Sequence, residues 1–398
     1  MIDLRAARAD PDGFRAALAR KDKQAVADFD ALLAADELWR GLVPQVDDLR
    51  SRLKIKGKPT TEQLEELNRV KDELRAAEEQ LAGAERERAE LLDLVPNPPD
   101  PSSPDGDTDE DAVELRRFGD PKPDGPEHTE VGNFELERAA RLSGSRFGYL
   151  AGDTALLAFA VYRFALDRAL AHGHKPMIPP VLVREEAMYG TGFFPTERSN
   201  IYALADDDLY LTGTSEVALA GLHMTEILDE LPLRYSAFST CFRRESGAAG
   251  KDTRGMFRVH QFNKVELFVY CDPAGSRDEH DKLLAIEEEL AQALELPYRV
   301  VDVAAGDLGA PAAKKYDIEA WFPSQQRYRE ITSTSNTTDY QARRLGIRYR
   351  VDDKRLETPH TLNGTAATDR WVLAILENFA GEVPDVLAAY GAPGQIRK

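Results

Sequence analysis

The chain has 398 residues, 42% of them hydrophobic and 30% charged, with a formal net charge of −19 at pH 7. That length accommodates two domains, or one large domain with an appendage, and the acidic balance argues against a nonspecific polyanion binder, which would present a basic face. Cys241 and Cys271 are too few for a zinc cage or a disulfide framework, and no apolar leader or membrane-length run of about 18 residues is present, so a soluble, cytoplasmic protein without membrane contact is expected.

The first distinct region covers residues 28 to 95. Leu38, Leu42, Val46, Leu49 and Leu53 repeat at three-four spacing, and Leu67, Val70, Leu74, Ala77, Leu81, Ala84 and Leu91 do so again. Gly57 and Pro59 lie between the two runs, where a chain reversal is needed. The expected product is an antiparallel helical hairpin. A helix from Asp28 to Lys54 would reach roughly 40 Å, enough to project from a globular body. Pro44 falls inside the first helix and is expected to kink it. Around the reversal, Arg50, Arg52, Lys54, Lys56 and Lys58 form a cluster without an acid, a candidate polyanion contact in an otherwise acidic chain. A dimerising coiled coil would show the same heptads.

Residues 101–130, opening with the Pro- and Asp-rich "PSSPDGDTDED", read as a linker between a helical arm at 1–100 and a body at 131–398. In the body, helices are predicted at 134–142, 156–172 and 276–294, and strands at 209–212, 298–304, 316–322 and 327–333. Neighbouring strands with few helices between them indicate an α+β fold with a mainly antiparallel sheet. No Gly-rich loop of the dinucleotide or Walker type follows a strand and opens a helix.

The segment "TCFRRESGAAGKDTRGMFRVHQFNKVELF" raises the chemical question. Residues 236–243 and 258–268 read as two antiparallel strands joined by an Arg- and Gly-bearing connection too long for a tight hairpin, and such loops are more often functional than structural. Alternation places His260, Phe262, Lys264 and Glu266 on one face, with room for a bulge. Arginine suits phosphate and carboxylate because its planar fork is bidentate. An aromatic face beside it suits a flat base. Alone, the hairpin reads more readily as a solvated hairpin laced with surface ion pairs.

Two more pieces alter the balance: "TGTSEVAL", and a Gly/Thr-rich turn, "TLNGTAATDRWVLAILEN", feeding an amphipathic helix from Asp369. With the hairpin they resemble motifs 2 and 3 of class II aminoacyl-tRNA synthetases, and "GHKPMIPPVLVREEAMYGTG" resembles their dimer-forming motif 1. Together with "HQFNKVE", "AAKKYDIEAW", "YREITSTSN" and the helical arm, the chain is similar along its length to the bacterial seryl-tRNA synthetase family. The resemblance implies a homodimer that uses ATP and Mg²⁺ to activate L-serine and then charges tRNA(Ser).

It also implies roles by position. Arg243 would clamp the serine carboxylate and the ATP α-phosphate; Phe262 would stack on adenine, with Arg244, Glu245 and the Val259 backbone around the nucleotide, and Arg370 would reach the γ-phosphate. Glu330 and Ser333 would bind the metal, within an ATP-contacting run that includes Ile331 and Thr332. Thr214 and Glu216 would hold the substrate ammonium, with Ser215 also among the serine-binding residues, and Glu266 and Thr365, with Asn363 nearby, its hydroxyl. Arg244 stands where the family more often has serine. Rival readings are a paralogous ligase that loads a carrier protein and a non-catalytic RNA-binding coiled-coil protein; the retained arm opposes the first and the intact charged set opposes the second.

Overall fold

The computed structural model describes residues 1–54, 57, 60–246 and 255–398. Lys56 and Lys58 of the expected basic tip, and residues 247–254, lie outside the described residues. The chain divides into two compact units, Met1–Pro98 and Pro99–Lys398.

In the first unit, short helices α1 (Leu4–Ala9) and α2 (Pro11–Ala19) precede the long α3 (Lys23–Arg52) and α4 (Thr61–Leu94). Each begins at a side-chain cap, Asp3, Asp10, Asp22 and Thr60 in turn, and Thr60 with Gln63 completes a capping box. Helices α3 and α4 pack antiparallel, tied by Arg50 to Glu78 at 2.9 Å, Arg52 to Glu66 at 3.2 Å and Arg88 to Asp36 at 2.7 Å. The seam differs from expectation at one position. Leu38 is 54% exposed, and the heptad runs instead through Leu32, Ala35, Trp39, Leu42 and Val46. Trp39 reaches the seam because Arg88, which occupies a core position of α4, lies 4.5 Å above its ring. Helix α3 runs through Pro44 unbroken; the proline sits on an exposed side, where its lost N–H donation leaves no buried group unpaired.

The second unit is built on an eight-stranded sheet. Its strands are β1 (Val113–Phe118), β2 (Lys175–Met177), β3 (Leu233–Phe242), β4 (Gln261–Cys271), β5 (Tyr298–Asp302), β6 (Lys314–Phe322), β7 (Arg327–Asn336) and β8 (His360–Thr368), in the spatial order β1-β5-β6-β7-β8-β4-β3-β2. Every pair is antiparallel except β2 with β3. Further helices include α5 (His128–Val131), α6 (Leu136–Ser143), α7 (Gly152–Ala171), α8 (Glu216–Gly221), α9 (Ser276–Ala293) and α10 (Asp369–Phe379). One face of the central strands contributes Val265, Leu267 and Val269 to a core completed by Leu157 and Phe164 of α7, Leu283 and Leu290 of α9, and Trp371 and Ile375 of α10. On the other face, Phe268 and Tyr270 join Tyr235, Ala237, Leu345 and Ile347 in a second apolar cluster, and beyond it the strands present polar side chains. Among the described residues, no helix is long and apolar enough to cross a membrane.

Two expectations change here. Residues 101–130, expected as a linker, contain β1 at the sheet edge, paired with β5, and the preceding stretch is fastened by Asp100 N–H to Ala313 O at 2.8 Å and Lys314 Nζ to Ser102 O at 2.9 Å. The polar composition misled because an edge strand exposes most of its side chains. The Gly/Thr-rich segment before Asp369 is not a turn but the central strand β8. Its alternating small residues fit a crowded sheet: a Cβ on Gly364 would lie 2.8 Å from Glu287 Oε1.

Candidate active site

Two adjoining cavities, of about 690 and 210 Å³, open where the second face of the sheet presents polar side chains. Arg243, Glu245, Arg258, Lys264, Ser333, Thr365 and Arg370 line both. Strands β3 and β4 pair without a bulge from Leu233 opposite Tyr270 to Phe242 opposite Gln261, which directs Phe262, Lys264 and Glu266 to the cavity side and the intervening Val265 and Leu267 to the core. The other strands reach the site through irregularities. Opposite β6, Ile331 is an extra residue in β7, because Ile318 faces Thr332 while Glu319 faces Glu330. Without that bulge Glu330 and Ser333, three apart, would point to opposite faces; with it both line the smaller cavity. Ala366 is the corresponding extra residue of β8, and it lets Thr365 and Thr368 share that cavity.

The larger cavity is lined at one end by Thr214, Glu216, Glu266, Asn363 and Thr365. Thr214 Oγ1 lies 3.4 Å from Glu266 Oε2, to which it donates, and accepts the Glu216 amide at 3.1 Å. Gln341 Nε2 donates to Glu216 Oε1 at 2.7 Å, and Lys264 forms an ion pair with Glu266. Burial pushes the Glu266 carboxyl up to about 7, with Lys264 opposing and Glu216 adding to the shift; burial raises Glu216 too. This end therefore offers carboxyl groups, a hydroxyl and an amide in a small buried space, a set suited to an ammonium and a hydroxyl.

The smaller cavity is walled by Phe257, Val259, Phe262, Glu330, Ile331, Thr332 and Arg370. The Arg370 guanidinium donates to Glu330 O at 2.9 Å and lies 3.5 Å from its carboxylate. Packing around Glu330 opposes its charge, but Lys315, Arg370 and Arg243 prevail and hold the carboxyl below its ordinary range. Arg243 stands where the cavities meet. Its Nε donates to Gly213 O at 3.2 Å and its guanidinium carbon lies 5.2 Å from the Phe262 ring centre, leaving the fork open to solvent. Glu245, paired with Arg258 at 3.4 Å, adopts φ +52, a left-handed conformation that non-glycine residues rarely hold outside constrained sites.

Two expected site residues are on neither cavity wall. Arg244 lies over the Tyr202 ring at 6.0 Å, and its backbone N–H donates to Asn200 O; the residue after Arg243 points away because β3 ends there. Ser215 is buried behind the wall, its carbonyl accepting the Leu219 amide of α8. Conversely, Lys264, Arg258, Phe257, Lys315 and Gln341 were not assigned to the site from sequence. Lys264 carried a usable signal, a cation two residues from Glu266 in an apolar strand; Lys315 and Gln341 come from distant segments and carried none.

A mainly antiparallel sheet with an arginine at the end of one strand, an arginine opening the helix after another, and an aromatic–carboxylate cleft between them defines a class II aminoacyl-tRNA synthetase. Comparison with known proteins agrees and goes further. Residues 201–379 match the family model "tRNA synthetase class II core domain (G, H, P, S and T)", and residues 1–99 match "Seryl-tRNA synthetase N-terminal domain". The serine–tRNA ligase of Thermobifida fusca is 48% identical over 98% of this chain and 97% of its own length, and that of Rhodococcus jostii is 48% identical over 95% and 94%. The seryl-tRNA synthetase of Pyrococcus horikoshii, solved in complex with ATP, superposes with a TM-score of 0.94 at 38% identity over 100% of this chain and 99% of its own. The cytoplasmic serine–tRNA ligase of Naegleria fowleri, in complex with AMP, gives 0.88 at 32% identity over 98% and 96%. The chain belongs to the seryl-tRNA synthetase family. It is a class II serine–tRNA ligase, and the carrier-protein and non-catalytic readings are not favoured.

Proposed function

We propose that the two cavities divide the adenylation reaction between them, serine in the buried end of the larger and ATP along the smaller, with Arg243 bridging the reacting anions. The observation that carries this is the position of Arg243, which lines both cavities and, among the described residues, holds its guanidinium by a bond to Gly213 O. Thr214 and Glu216 take the serine ammonium, while Glu266, Thr365 and Asn363 take its hydroxyl. Adenine stacks on Phe262 against Val259 and Glu245, and Arg370 meets the terminal phosphate. The serine carboxylate oxygen then attacks the α-phosphorus, the bond to the bridging oxygen breaks, and pyrophosphate leaves. Arg243 lowers the repulsion between the two anions as they meet, and no protein nucleophile is required.

Glu330 and Ser333 fit Mg²⁺: both present hard oxygen donors to one cavity through the β7 bulge, and neighbouring cations keep Glu330 ionised. Bound there, the ion supplies charge neutralisation along the phosphates. Residues 1–98 serve as the tRNA(Ser)-binding arm. The working form is a homodimer, which the apolar surface of α7 and the following segment supports: Leu156, Phe159 and Ile178 are 49%, 66% and 90% exposed. The cytoplasm, where free cysteines such as Cys241 and Cys271 persist, is its compartment.

Replacing Arg243 by Lys keeps the charge and removes the fork. Serine-dependent pyrophosphate exchange is expected to fall about a hundredfold or more with the fold retained. Exchange near wild type would overturn the bridging role.

A further inference from the structure

A buried pair of side chains outside both cavities fastens the nucleotide wall. His128 of α5 and Glu377 of α10 are 2% and 1% exposed, and His128 Nδ1 lies 2.8 Å from Glu377 Oε1. The other carboxylate oxygen accepts the Ser324 hydroxyl at 2.6 Å and the Ser324 amide at 3.3 Å. His128 Nε2 faces the backbone of Met256, whose N–H donates to it at 3.2 Å. An amide N–H can only donate, so Nε2 must be the bare acceptor nitrogen and the imidazole proton must sit on Nδ1, toward the carboxylate. Glu377 thus selects the tautomer that Met256 requires.

Met256 begins the wall of the smaller cavity. Next in the chain, the Phe257 ring is packed by two guanidiniums, Arg329 at 3.7 Å and Arg370 at 4.6 Å from its centre, and meets Phe322 edge-on at 5.4 Å. Before it, Gly255 has φ +66, and a Cβ there would lie 2.3 Å from His128 Nε2. The chain therefore approaches the imidazole as closely as glycine permits. We propose that His128, its tautomer set by Glu377, is a positioning residue for ATP: it fixes the Met256 backbone, and through Phe257 the orientation of Arg370, without touching substrate. This rests on the assignment of the smaller cavity to the nucleotide.

The test is pyrophosphate exchange with His128→Phe and His128→Gln, measuring KM for ATP and for serine separately, with melting temperature alongside. His128→Phe keeps a ring and removes the acceptor; KM for ATP is expected to rise about tenfold, with KM for serine within about twofold. His128→Gln can accept from Met256 through its oxygen and donate to Glu377 through its nitrogen, and should restore most of the ATP affinity. Gly255→Ala perturbs the same contact from the opposite side and should reproduce the ATP-selective defect; it carries the test if His128→Phe does not fold. An unchanged KM for ATP in the folded variants, a Gln variant no better than Phe, or a parallel rise in KM for serine would overturn the role. Arg370→Ala run beside them separates the two claims: a normal KM for ATP there would mean that the cavity itself is misassigned.

Discussion

At the scale of single residues, the proposed serine end of the site is governed by burial of groups that prefer water. Glu266 is 1% exposed and is held by the Lys264 ion pair and the Thr214 hydroxyl, and the proposal adds the substrate hydroxyl to these partners. A site arranged this way rejects a substrate lacking the hydroxyl because its own polar groups would be left unpaired. Glu266→Ala is therefore expected to cost about 2 to 4 kcal/mol in transition-state binding of serine, with a smaller effect on alanine. Discrimination measured as the ratio of kcat/KM for the two amino acids in pyrophosphate exchange decides it. Equal losses would remove Glu266 from the hydroxyl role.

At the scale of elements, the helical hairpin illustrates how charge on a sequence is redistributed by folding. Arg50 and Arg52 belong to the basic cluster by composition, yet each is paired across the hairpin, with Glu78 and Glu66. Exposed pairs of this kind contribute little stability, on the order of 1 kcal/mol or less. They do reduce the charge the two arginines present outward. Lys54, exposed and without an ion pair among the described residues, is the cleaner probe of tRNA contact. Lys54→Glu should leave pyrophosphate exchange unchanged, raise KM for tRNA in charging, and shallow the salt dependence of tRNA binding by about one phosphate contact. If charging and salt slope matched wild type, RNA recognition would lie elsewhere on the arm or on the catalytic unit.

For the whole molecule, the exposed apolar residues of α7 and of the segment after β2 are the feature a lone chain leaves unexplained. Phe159 and Ile178 are large, exposed and outside the cores of either unit. Exposed apolar patches beyond the ordinary scatter mark contact surfaces. Phe159→Glu combined with Ile178→Glu places two charges in the proposed interface and should convert a dimer to a monomer in sedimentation velocity, with loss of exchange activity. A mass unaffected by the substitutions, whether dimeric or monomeric, would dismiss this surface as the interface.

Most of the secondary structure and the chemical types at the site were legible in the chain itself. Caps, heptads and period-two alternation are local signals, because hydrogen-bond geometry repeats every few residues; the 276–294 helix and the 327–333 strand were recovered from them to within a few residues. Phe262, Lys264 and Glu266 could be put on one face for the same reason. Elsewhere the local signal failed where an interaction with a distant segment outweighed it. Trp39 took the seam position because Arg88 on the other helix covers its ring, and residues 113–118 became a strand because β5 offered an unpaired edge. The bulges at Ile331 and Ala366 exist only relative to partner strands, yet they bring Glu330 beside Ser333 and Thr365 beside Thr368. The sequence by itself determined which groups this protein has to work with and the periodicity that presents them. Only the tertiary structure decided which of them meet, because strand register, bulges and buried pairs such as His128 with Glu377 depend on partners up to 249 residues apart.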